Sequence, residues 1–521
     1  MFWADRIAKE IQNTRKPSDG STFLIRDEKT MSGRVHVGSM RGVAIHGLVG
    51  EVLSEMNVAN EYQFELNDFD PFDAMPHYLD QEKFREHLGK PLYTVPSPVD
   101  GYENYADYFS QEFVAVHKKI GIVPTYYKAT TLYQSAQMDP YITLALNKAS
   151  DIRRILKEVS GSNKPDTWLP VSIVCENCGK MMTTRSLDWD GETVGYTCSI
   201  SPDDTVPCGH EGRVSPYGGK TKLFWKADWA AKWCARGVDI EGAGKDHSTK
   251  GGSRDVAKVI SEQVFNREAP FDIPYEFFLT GGKKMSSSKG QGSTAHDMAE
   301  LFPARVFRLA LIGKDINQQI EIDPSGDGIP RTYDWHDELA EAVRNGVSDD
   351  FTRLYELTKL PDERAGSEAP WLLRFSQVAF ITQMPHINLI EEAVAVKGSE
   401  LTDEESTLLI EREQYAKFWL ANYAPEEYKY ELQDTLPEVE LTETQKQAVA
   451  KLADYMSSER TGEEIQTRLH ELKTEVSISP KELFSALYKI FLNRESGPKI
   501  GWFLSVLPHK FVLKRLQEAT A

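Results

Sequence analysis

The sequence predicts an α/β fold with a parallel sheet, interrupted by a cysteine-rich insertion and followed by an all-helical region. Three observations lead to this prediction. The first 66 residues read as strand, helix and strand, and such a unit forms a parallel, right-handed crossover. Four of the five cysteines lie between residues 175 and 208. Residues 336–521 place apolar side chains at helical spacing, with almost no alternation of the kind that strands show.

The amino-terminal region supplies the β-α-β unit. Residues 3–15 carry an apolar helix face with Trp3 as its core anchor. Residues 22–25 are an apolar buried strand, residues 40–56 a helix, and residues 61–66 an alternating second strand. Further helices are predicted at residues 104–119 and 139–159.

An acidic stretch, residues 67–73, follows the second strand directly. Open α/β sheets bind ligands beyond the carboxyl ends of their strands, so a substrate with a free ammonium group would find a partner here. Aspartates at a strand end are also ordinary turn formers. The residues alone leave both interpretations open.

Residues 32–39, Ser-Gly-Arg-Val-His-Val-Gly-Ser, join the first strand to the helix after it. Backbone N–H groups at such a turn, together with the helix dipole, favour an anion, and glycine allows a close approach. His36 lies in the mouth of this turn. Neither the GxGxxG nor the Walker spacing occurs, which disfavours an ordinary dehydrogenase or P-loop enzyme.

A second glycine-containing stretch, residues 281–290, follows the apolar segment 275–279. It holds Lys284 and Lys289 on either side of Met285 and three serines. Lysines and small donors suit phosphate oxygens, so this stretch is interpreted as a phosphate clamp. A surface loop or a phosphorylation site is the alternative.

The cysteine-rich insertion, residues 171–213, has the composition of a zinc site. Cys175 and Cys178 form a C-x2-C knuckle, and Cys198 and Cys208 supply a second pair. Nine residues separate that second pair, which leaves His210 as an alternative fourth ligand. Because protein can fill all four positions, the zinc is expected to be structural. Reduced cysteines without a metal are the alternative.

Composition limits the class of protein. A chain of 521 residues holds two to four domains, and a net charge of −19 argues against coating nucleic acid by bulk electrostatics, although a local basic face could still contact phosphates. There is no apolar run of transmembrane length and no signal-peptide pattern at Met1 to Arg6. We therefore expect a cytoplasmic protein without a membrane partner, with its cysteines reduced.

Two motifs carry a resemblance to a known family. His36-Val37-Gly38-Ser39 and residues 284–290 resemble the two ATP-binding signatures of the class I aminoacyl-tRNA synthetases, in the same order and with the same wide separation. Residues 3–8, 244–247 and 251–253 resemble, more specifically, the class I lysyl-tRNA synthetases. The resemblance covers roughly residues 1–312 well and the remainder weakly.

The resemblance implies both an architecture and an activity. A Rossmann-type catalytic domain would comprise residues 1–165 and 221–312, with a zinc-binding unit at 166–220 between its halves. Residues 313–521 would form a helical domain that binds the anticodon end of tRNA. The activity implied is lysine–tRNA ligation: ATP, accompanied by Mg²⁺, activates lysine to lysyl-adenylate, and the lysyl group passes to tRNA(Lys).

The resemblance also implies roles for individual residues. His36, Lys284 and Lys289 would be catalytic, through stabilisation of charge on the phosphates. Residues in contact with ATP would be Gly38, Ser39, Asp246, Met285, Ser286, Ser287 and Ser288, with Asp246 accepting from the ribose hydroxyls. The lysine pocket would be formed by Thr30, Gly33, Trp225, His247 and Tyr275.

This chain departs from the family pattern before the first signature. Glu28 and Met31 stand where the family has glycine and proline, and Glu28 could contact the substrate ammonium directly. Ser287 stands where the wider class often has lysine. An arginine or glutamate synthetase and a noncatalytic RNA-binding paralogue are the alternative functions, with a zinc-ribbon scaffold a distant third. Residues 497–502 with Lys510, Lys514 and Arg515 are a candidate RNA surface.

Overall fold

The computed structural model describes residues 1–202, 205–281, 293–364, 369–384 and 387–521. The chain forms two compact units. The first comprises Met1–Ile322 and Ser348–Ser367, and the second comprises Asp323–Val347 and Glu368–Ala521. The first unit is mixed α/β and the second is helical, which confirms the predicted mixed architecture. The domain limits at residues 165, 220 and 312 stay predictions.

The strands lie in the first unit. In chain order they are β1 (Phe23–Thr30), β2 (Asn60–Asn67), β3 (Thr125–Lys128), β4 (Val171–Ile173), β5 (Thr184–Trp189), β6 (Val194–Cys198), β7 (Glu211–Val214), β8 (Thr221–Leu223), β9 (Ala243–Gly244), β10 (Pro274–Tyr275), β11 (Phe278–Leu279) and β12 (Ile320–Glu321).

Helices occur in both units. In chain order they are α1 (Trp3–Thr14), α2 (Gly38–Glu55), α3 (Gln81–Arg85), α4 (Tyr105–Lys119), α5 (Ala129–Gln134), α6 (Asp139–Asn147), α7 (Ala149–Ser160), α8 (Trp225–Arg236), α9 (Lys245–Ser248), α10 (Ser253–Gln263), α11 (Ala295–Ala299), α12 (Ala304–Ile312), α13 (Gly328–Arg344), α14 (Asp350–Thr358), α15 (Phe375–Ile381), α16 (Leu389–Lys397), α17 (Asp403–Asn422), α18 (Glu443–Tyr455), α19 (Gly462–Glu475), α20 (Pro480–Leu492), α21 (Ile500–Val506) and α22 (His509–Glu518).

A parallel sheet organises the first unit. β1 pairs in parallel with β2 over its whole length, from Phe23 opposite Asn60 to Thr30 opposite Asn67, and β2 pairs in parallel with β3. The chain at Ile240 continues the sheet through parallel bridges to Ile25 and Phe271. The carboxyl ends of these strands therefore meet at one edge, where open α/β sheets bind ligands.

The amino-terminal elements follow the sequence prediction with two differences. α1 buries Trp3, whose indole N–H donates to the carbonyl oxygen of Ile312 at 2.9 Å, as expected of a core anchor. β1, predicted to end near residue 25, continues to Thr30, because its charged residues are paired inside the protein. The predicted helix 139–159 is two helices that meet at Lys148, where φ is −106° and ψ is 26°.

The insertion between the halves of the parallel sheet is antiparallel. β4 pairs with β8 at its base, with Val171 opposite Leu223. β5, β6 and β7 form a three-stranded antiparallel sheet, and Cys198 ends β6. Because β4 and β8 are paired neighbours, the insertion leaves and re-enters the first unit at adjacent points.

The second unit is a set of packed helices, and side-chain hydrogen bonds to the backbone fix where several of them start. α17, α18, α19 and α20 each begin with a capping box, at Thr402, Thr442, Thr461 and Ser479. The helical segments that periodicity predicts at residues 339–343, 406–420, 444–455 and 480–491 lie within α13, α17, α18 and α20. Within the described part of the chain, no helix has both the length and the apolarity needed to cross a membrane.

The sequence prediction is wrong for one residue of the candidate RNA surface. Arg515 is buried, and its guanidinium donates to the carbonyl oxygens of Ile490 at 3.1 Å and Gln433 at 2.7 Å. It therefore ties α22 to the rest of its unit. Lys510 and Lys514 are exposed.

Candidate functional site

A cavity of about 520 Å³ opens at the carboxyl edge of the parallel sheet. The ends of β1 and β2, the start of α2, and the chain from residue 241 to 247 form most of its wall. The described residues that line it are Asp27, Glu28, Lys29, Thr30, His36, Gly38, Ser39, Phe64, Asn67, Asp70, Trp225, Asp228, Trp229, Glu241, Gly242, Ala243, Gly244, Asp246, His247, Tyr275, Glu276, Phe277, Phe278 and Leu279.

The cavity brings together most of the site residues predicted from the sequence. These are Thr30, His36, Gly38, Ser39, Trp225, Asp246, His247 and Tyr275. Gly33 is buried in the turn before His36 and does not line the cavity. Lys284, Met285, Ser286, Ser287, Ser288 and Lys289 lie outside the described residues.

The described residues that flank those six lie at the cavity on one side and against the first glycine turn on the other. On one side, Phe278 and Leu279 of β11 line the cavity. On the other, the N–H of Val37 donates to the carbonyl oxygen of Ser293 at 3.0 Å, and His36 forms an antiparallel bridge with Thr294. The described residues on both sides of the second motif are thus near the cavity lining or the first motif, about 250 residues away in sequence.

Aromatic side chains form one wall. Trp225, the first residue of α8, is 44% exposed, although a tryptophan at a helix start usually packs into a core. Its ring lies 5.9 Å from that of His247, and the Trp229 ring lies 6.0 Å from the same imidazole. Both indoles meet the imidazole edge-on, at interplanar angles of 67° and 75°, and aromatic walls of this kind accept an aliphatic chain or a cation.

Tyr275 forms the opposite wall and depends on a glycine of α2. A Cβ atom at Gly42 would lie 2.6 Å from the Tyr275 hydroxyl and 3.0 Å from an Asp27 carboxylate oxygen. Glycine at this position therefore allows the phenol and carboxylate to approach the helix. Burial, with Asp27 nearby, raises the pKa of Tyr275, so the hydroxyl keeps its proton and can donate.

Asp246 lies at the rim, immediately after β9. Its carboxylate is 39% exposed and lies 4.0 Å from the His247 imidazole. The chain reaches this position through Gly242, where a Cβ atom would lie 2.2 Å from the Ile273 carbonyl oxygen. An exposed carboxylate at a strand end can accept hydrogen bonds from a diol.

The cavity floor is a buried ion-pair network that the sequence did not reveal. Arg26, with no exposed surface, donates to Glu241 at 2.7 Å, to Glu65 at 2.8 Å and to Glu28. Arg26 and Glu28 are two residues apart on β1 and so face the same side of the sheet. Trp229 and Trp233 donate their indole N–H groups to Glu241.

Two lysines complete this network. The ammonium of Lys232, also fully buried, lies 2.8 Å from Asp228 and pairs with Glu65. The ammonium of Lys222 pairs with Asp70 and lies 3.8 Å from Asp228. The network thus joins three cations (Arg26, Lys222 and Lys232) to five carboxylates (Glu28, Glu65, Asp70, Asp228 and Glu241).

An excess of two carboxylates makes the floor acidic. Burial raises the pKa of Glu28, but Lys232 and Arg26 outweigh it, and the net pKa lies well below its usual range. The same holds for Asp70: burial raises its pKa, but the pairing with Lys222 lowers the pKa by more, so the net pKa is below its usual value. Glu28 and Asp70 are therefore charged at neutral pH, and the floor suits a cationic ligand.

The signal for this network was present in the sequence. Charged residues at alternate positions of a strand that starts apolar, as at Arg26 and Glu28, indicate partners inside the protein. Lys232, among the alanines and tryptophans of α8, carries the same signal. What the sequence could not show was which of these residues pair.

The acidic stretch after β2 divides into two roles. Asp68 accepts from the backbone N–H of Thr130 at 2.9 Å and from its hydroxyl at 2.6 Å, which is a structural role at the start of α5. Asp70 lines the cavity and is held by Thr30, Asn67 and Lys222. Asp68 thus has a structural role, and the ligand-binding interpretation stays a prediction for Asp70.

The four clustered cysteines meet in space. Their sulfur atoms all lie within 4.8 Å of one another, with 3.6 Å between Cys175 and Cys208 and 3.8 Å between Cys178 and Cys198. His210 is not part of this group; its backbone carbonyl accepts from the N–H of Cys198. Four thiols at this separation match the donor set of tetrahedral zinc.

Comparison with known proteins connects this site to a family. Residues 1–360 match the family model described as tRNA synthetases class I (K). Lysine–tRNA ligase 1 of Methanosarcina acetivorans is 32% identical, over 100% of this chain and 98% of that protein. Lysine–tRNA ligase of Pyrococcus horikoshii is 33% identical, over 99% of both.

A solved structure was also matched. It is a glutamate tRNA ligase from Elizabethkingia meningosepticum, with a TM-score of 0.39 and 12% identity over 96% of this chain and 99% of that one.

Proposed function

Because the chain belongs to the class I tRNA synthetase family, we propose that it is a lysine–tRNA ligase, which activates lysine with ATP and transfers it to tRNA(Lys). The observation that carries the proposal is the cavity itself. It joins His36, Gly38 and Ser39 of the first signature, Phe278 and Leu279 of the strand that precedes the second, and an acidic floor. A noncatalytic RNA-binding protein would have no use for this combination.

ATP would occupy the end of the cavity formed by the glycine turn and the rim. The amino end of α2, at Gly38 and Ser39, would face the phosphates, where N–H groups and the helix dipole favour an anion. Asp246 would accept from the ribose hydroxyls. Mg²⁺ would arrive with ATP and neutralise part of its phosphate charge.

Lysine would occupy the acidic, aromatic end. Its side-chain methylene groups would lie against Trp225 and His247, and its ammonium groups would face the excess of carboxylates. Thr30 would contribute through Asp70, to which its hydroxyl donates. Glu28 is bound by Arg26 and Lys232, so it would act as part of the floor more than as a separate contact.

The chemistry is an in-line displacement that the chain assists by positioning and charge. The lysine carboxylate oxygen would form a bond to the α-phosphorus, and the bond from that phosphorus to the bridging oxygen of the β-phosphate would break. His36, Lys284 and Lys289 would stabilise the charge that builds on the phosphates and on the leaving pyrophosphate. The 2′-hydroxyl oxygen of the terminal adenosine of tRNA would then bond to the lysyl carbonyl carbon, AMP would leave, and the hydroxyl proton would be released.

The four cysteines would hold a zinc ion with a structural role. The four thiolates would fill every position of a tetrahedral ion, so no site would be left open for a substrate. The ion would fix the loops of β4 to β7, a small region that lacks a large core of its own. The helical second unit would bind the anticodon end of tRNA.

The test is ATP–pyrophosphate exchange by the purified protein with each of the twenty amino acids, with and without total tRNA. Exchange driven by lysine supports the proposal. Exchange driven by arginine or glutamate would keep the family and discard the lysine pocket. No exchange under any condition would favour the noncatalytic RNA-binding alternative.

A further inference from the structure

Lys29 is a cation in the cavity wall to which the sequence assigned no role. It is the penultimate residue of β1, next to Thr30, and its side chain is half-buried. Within the described ranges, its ammonium group has no hydrogen-bond acceptor and no ion-pair partner at contact distance. Every other cation beneath the cavity, at Arg26, Lys222 and Lys232, is paired.

The charge around Lys29 is strongly one-sided. The cavity lining includes seven carboxylates, those of Asp27, Glu28, Asp70, Asp228, Glu241, Asp246 and Glu276. Among the lining residues that the structure describes, Lys29 is the one lysine or arginine. Such a lining attracts an ammonium but opposes an anion.

The proposed reaction nevertheless brings two anions together in this cavity. The carboxylate of lysine must approach the α-phosphate of ATP, and repulsion by the surrounding carboxylates adds to the repulsion between the reactants. A fixed cation at the point of contact would offset both. His36 lines the cavity from the glycine turn, and Lys29 is the cation that β1 contributes to the cavity lining.

The position of Lys29 suits that contact. The charges of Asp70, Asp27 and Asp246 all act on its ammonium. Asp70 belongs to the proposed lysine side of the cavity and Asp246 to the proposed ribose side, so Lys29 lies within electrostatic reach of both. Burial lowers its pKa, which reflects an ammonium taken from water without a direct partner, and a bound anion would supply one.

We propose that Lys29 binds the anionic oxygens at the reaction centre, either the carboxylate of the amino acid or the α-phosphate of ATP, and is a further catalytic residue. This inference rests on the ligase function proposed above. Lys29 gives up no proton. Its ammonium stabilises negative charge while the carboxylate oxygen bonds to the α-phosphorus and pyrophosphate leaves.

The experiment compares Lys29→Met and Lys29→Arg with the wild type in lysine-dependent ATP–pyrophosphate exchange. Methionine keeps the length of the side chain and removes its charge, and arginine keeps the charge. We expect kcat/KM to fall about 100-fold in Lys29→Met and less than about 10-fold in Lys29→Arg. Lys16→Met, at an exposed lysine before β1, is the matched control and should leave the rate unchanged.

Inhibition by lysinamide, which lacks the carboxylate, separates the two sources of the anion. If Lys29 binds the carboxylate, Lys29→Met raises KM for lysine and leaves inhibition by lysinamide unchanged. If it binds the α-phosphate, KM for ATP rises instead. Thermal melting of each variant checks that the fold is intact.

Two results would overturn the role of Lys29 while leaving the ligase function in place. One is that the wild type is active and Lys29→Met has the same exchange rate. The other is an equal loss in Lys29→Met and Lys29→Arg, which would mean that shape and not charge matters. An inactive wild type would instead mean that the proposed function itself is wrong.

Discussion

At the scale of single residues, Arg26 shows how this chain uses buried charge. Its guanidinium is fully enclosed, and it donates to three carboxylates and to the Tyr127 hydroxyl at 2.8 Å. Burying an ion costs several kcal/mol of free energy, and this cost is offset only where each buried charge has a partner of opposite charge. The pairing here fixes both the floor of the cavity and its acidic character.

Lys232→Met is expected to destabilise the protein by about 3–5 kcal/mol, because Glu65 and Asp228 would lose a buried partner. Urea unfolding followed by circular dichroism measures this loss. Lys258→Met removes an exposed lysine from α10 and should change the free energy of unfolding by no more than about 0.5 kcal/mol. Equal midpoints for the two variants would contradict the importance assigned to the network.

Lys289→Ala is expected to lower lysine-dependent ATP–pyrophosphate exchange at least about 10-fold, since one cation would no longer stabilise the charge on the leaving phosphates. The exposed Lys9 of α1 provides the matched control, Lys9→Ala. Exchange rates that do not differ between the two variants would remove Lys289 from the proposed mechanism.

At the scale of secondary-structure elements, the carboxyl ends of parallel strands determine where chemistry can occur. β1 ends at Thr30 and β2 at Asn67, directly opposite each other, and the chain after Ile240 reaches the same edge. Residues far apart in sequence, such as His36, Asp70 and Asp246, therefore share one cavity. The insertion is a separate element whose small antiparallel sheets surround four thiols.

Removal of zinc by a chelator is expected to unfold the insertion before the rest of the chain, because the metal would supply much of the stability of this small region. Hydrogen exchange resolved by peptide would show early loss of protection in residues 171–213. Emission spectroscopy should find one zinc per chain in the wild type and in Cys234→Ser, whose thiol lies outside the cluster, and much less in Cys178→Ser. Stoichiometric zinc in Cys178→Ser would disprove the assignment.

At the scale of the whole molecule, charge limits how RNA can bind. The chain carries 79 acidic and 60 basic residues, so non-specific attraction to phosphate is weak and a tRNA contact must use a local basic surface. In the second unit, Lys510 and Lys514 are exposed on α22, whereas Arg515 is buried and structural. Lys510 and Lys514, with the exposed Lys499 of residues 497–502, are thus the cations of the candidate surface that remain available.

The double variant Lys510→Glu with Lys514→Glu is expected to raise KM for tRNA in aminoacylation about 10-fold, since two phosphate contacts would become repulsive. Lysine-dependent exchange without tRNA should not change. Lys446→Glu, at an exposed lysine of α18, makes a charge change of the same kind and should have little effect. An unchanged KM for tRNA in the double variant would exclude this face of α22 from binding.

The sequence by itself determined the features that depend on local pattern. Strand-helix-strand order and helical periodicity predicted α1, α2 and helices of the second unit, because these elements are selected by neighbours within a few residues. Motif spacing pointed to His36, Asp246 and the cysteines for the same reason. The resemblance of two motifs to a family then pointed to the activity.

The tertiary structure decided what depends on pairing between distant residues. Whether Arg515 is exposed, which of Asp68 and Asp70 lines the cavity, and which carboxylates pair with Arg26 and Lys232 are set by packing between elements far apart in sequence. The same packing leaves Lys29 as a cation without a direct ion-pair partner among the described residues. The pKa of each of these groups depends on its burial and on the charges beside it. Both are set by tertiary packing, so the local sequence pattern does not predict them.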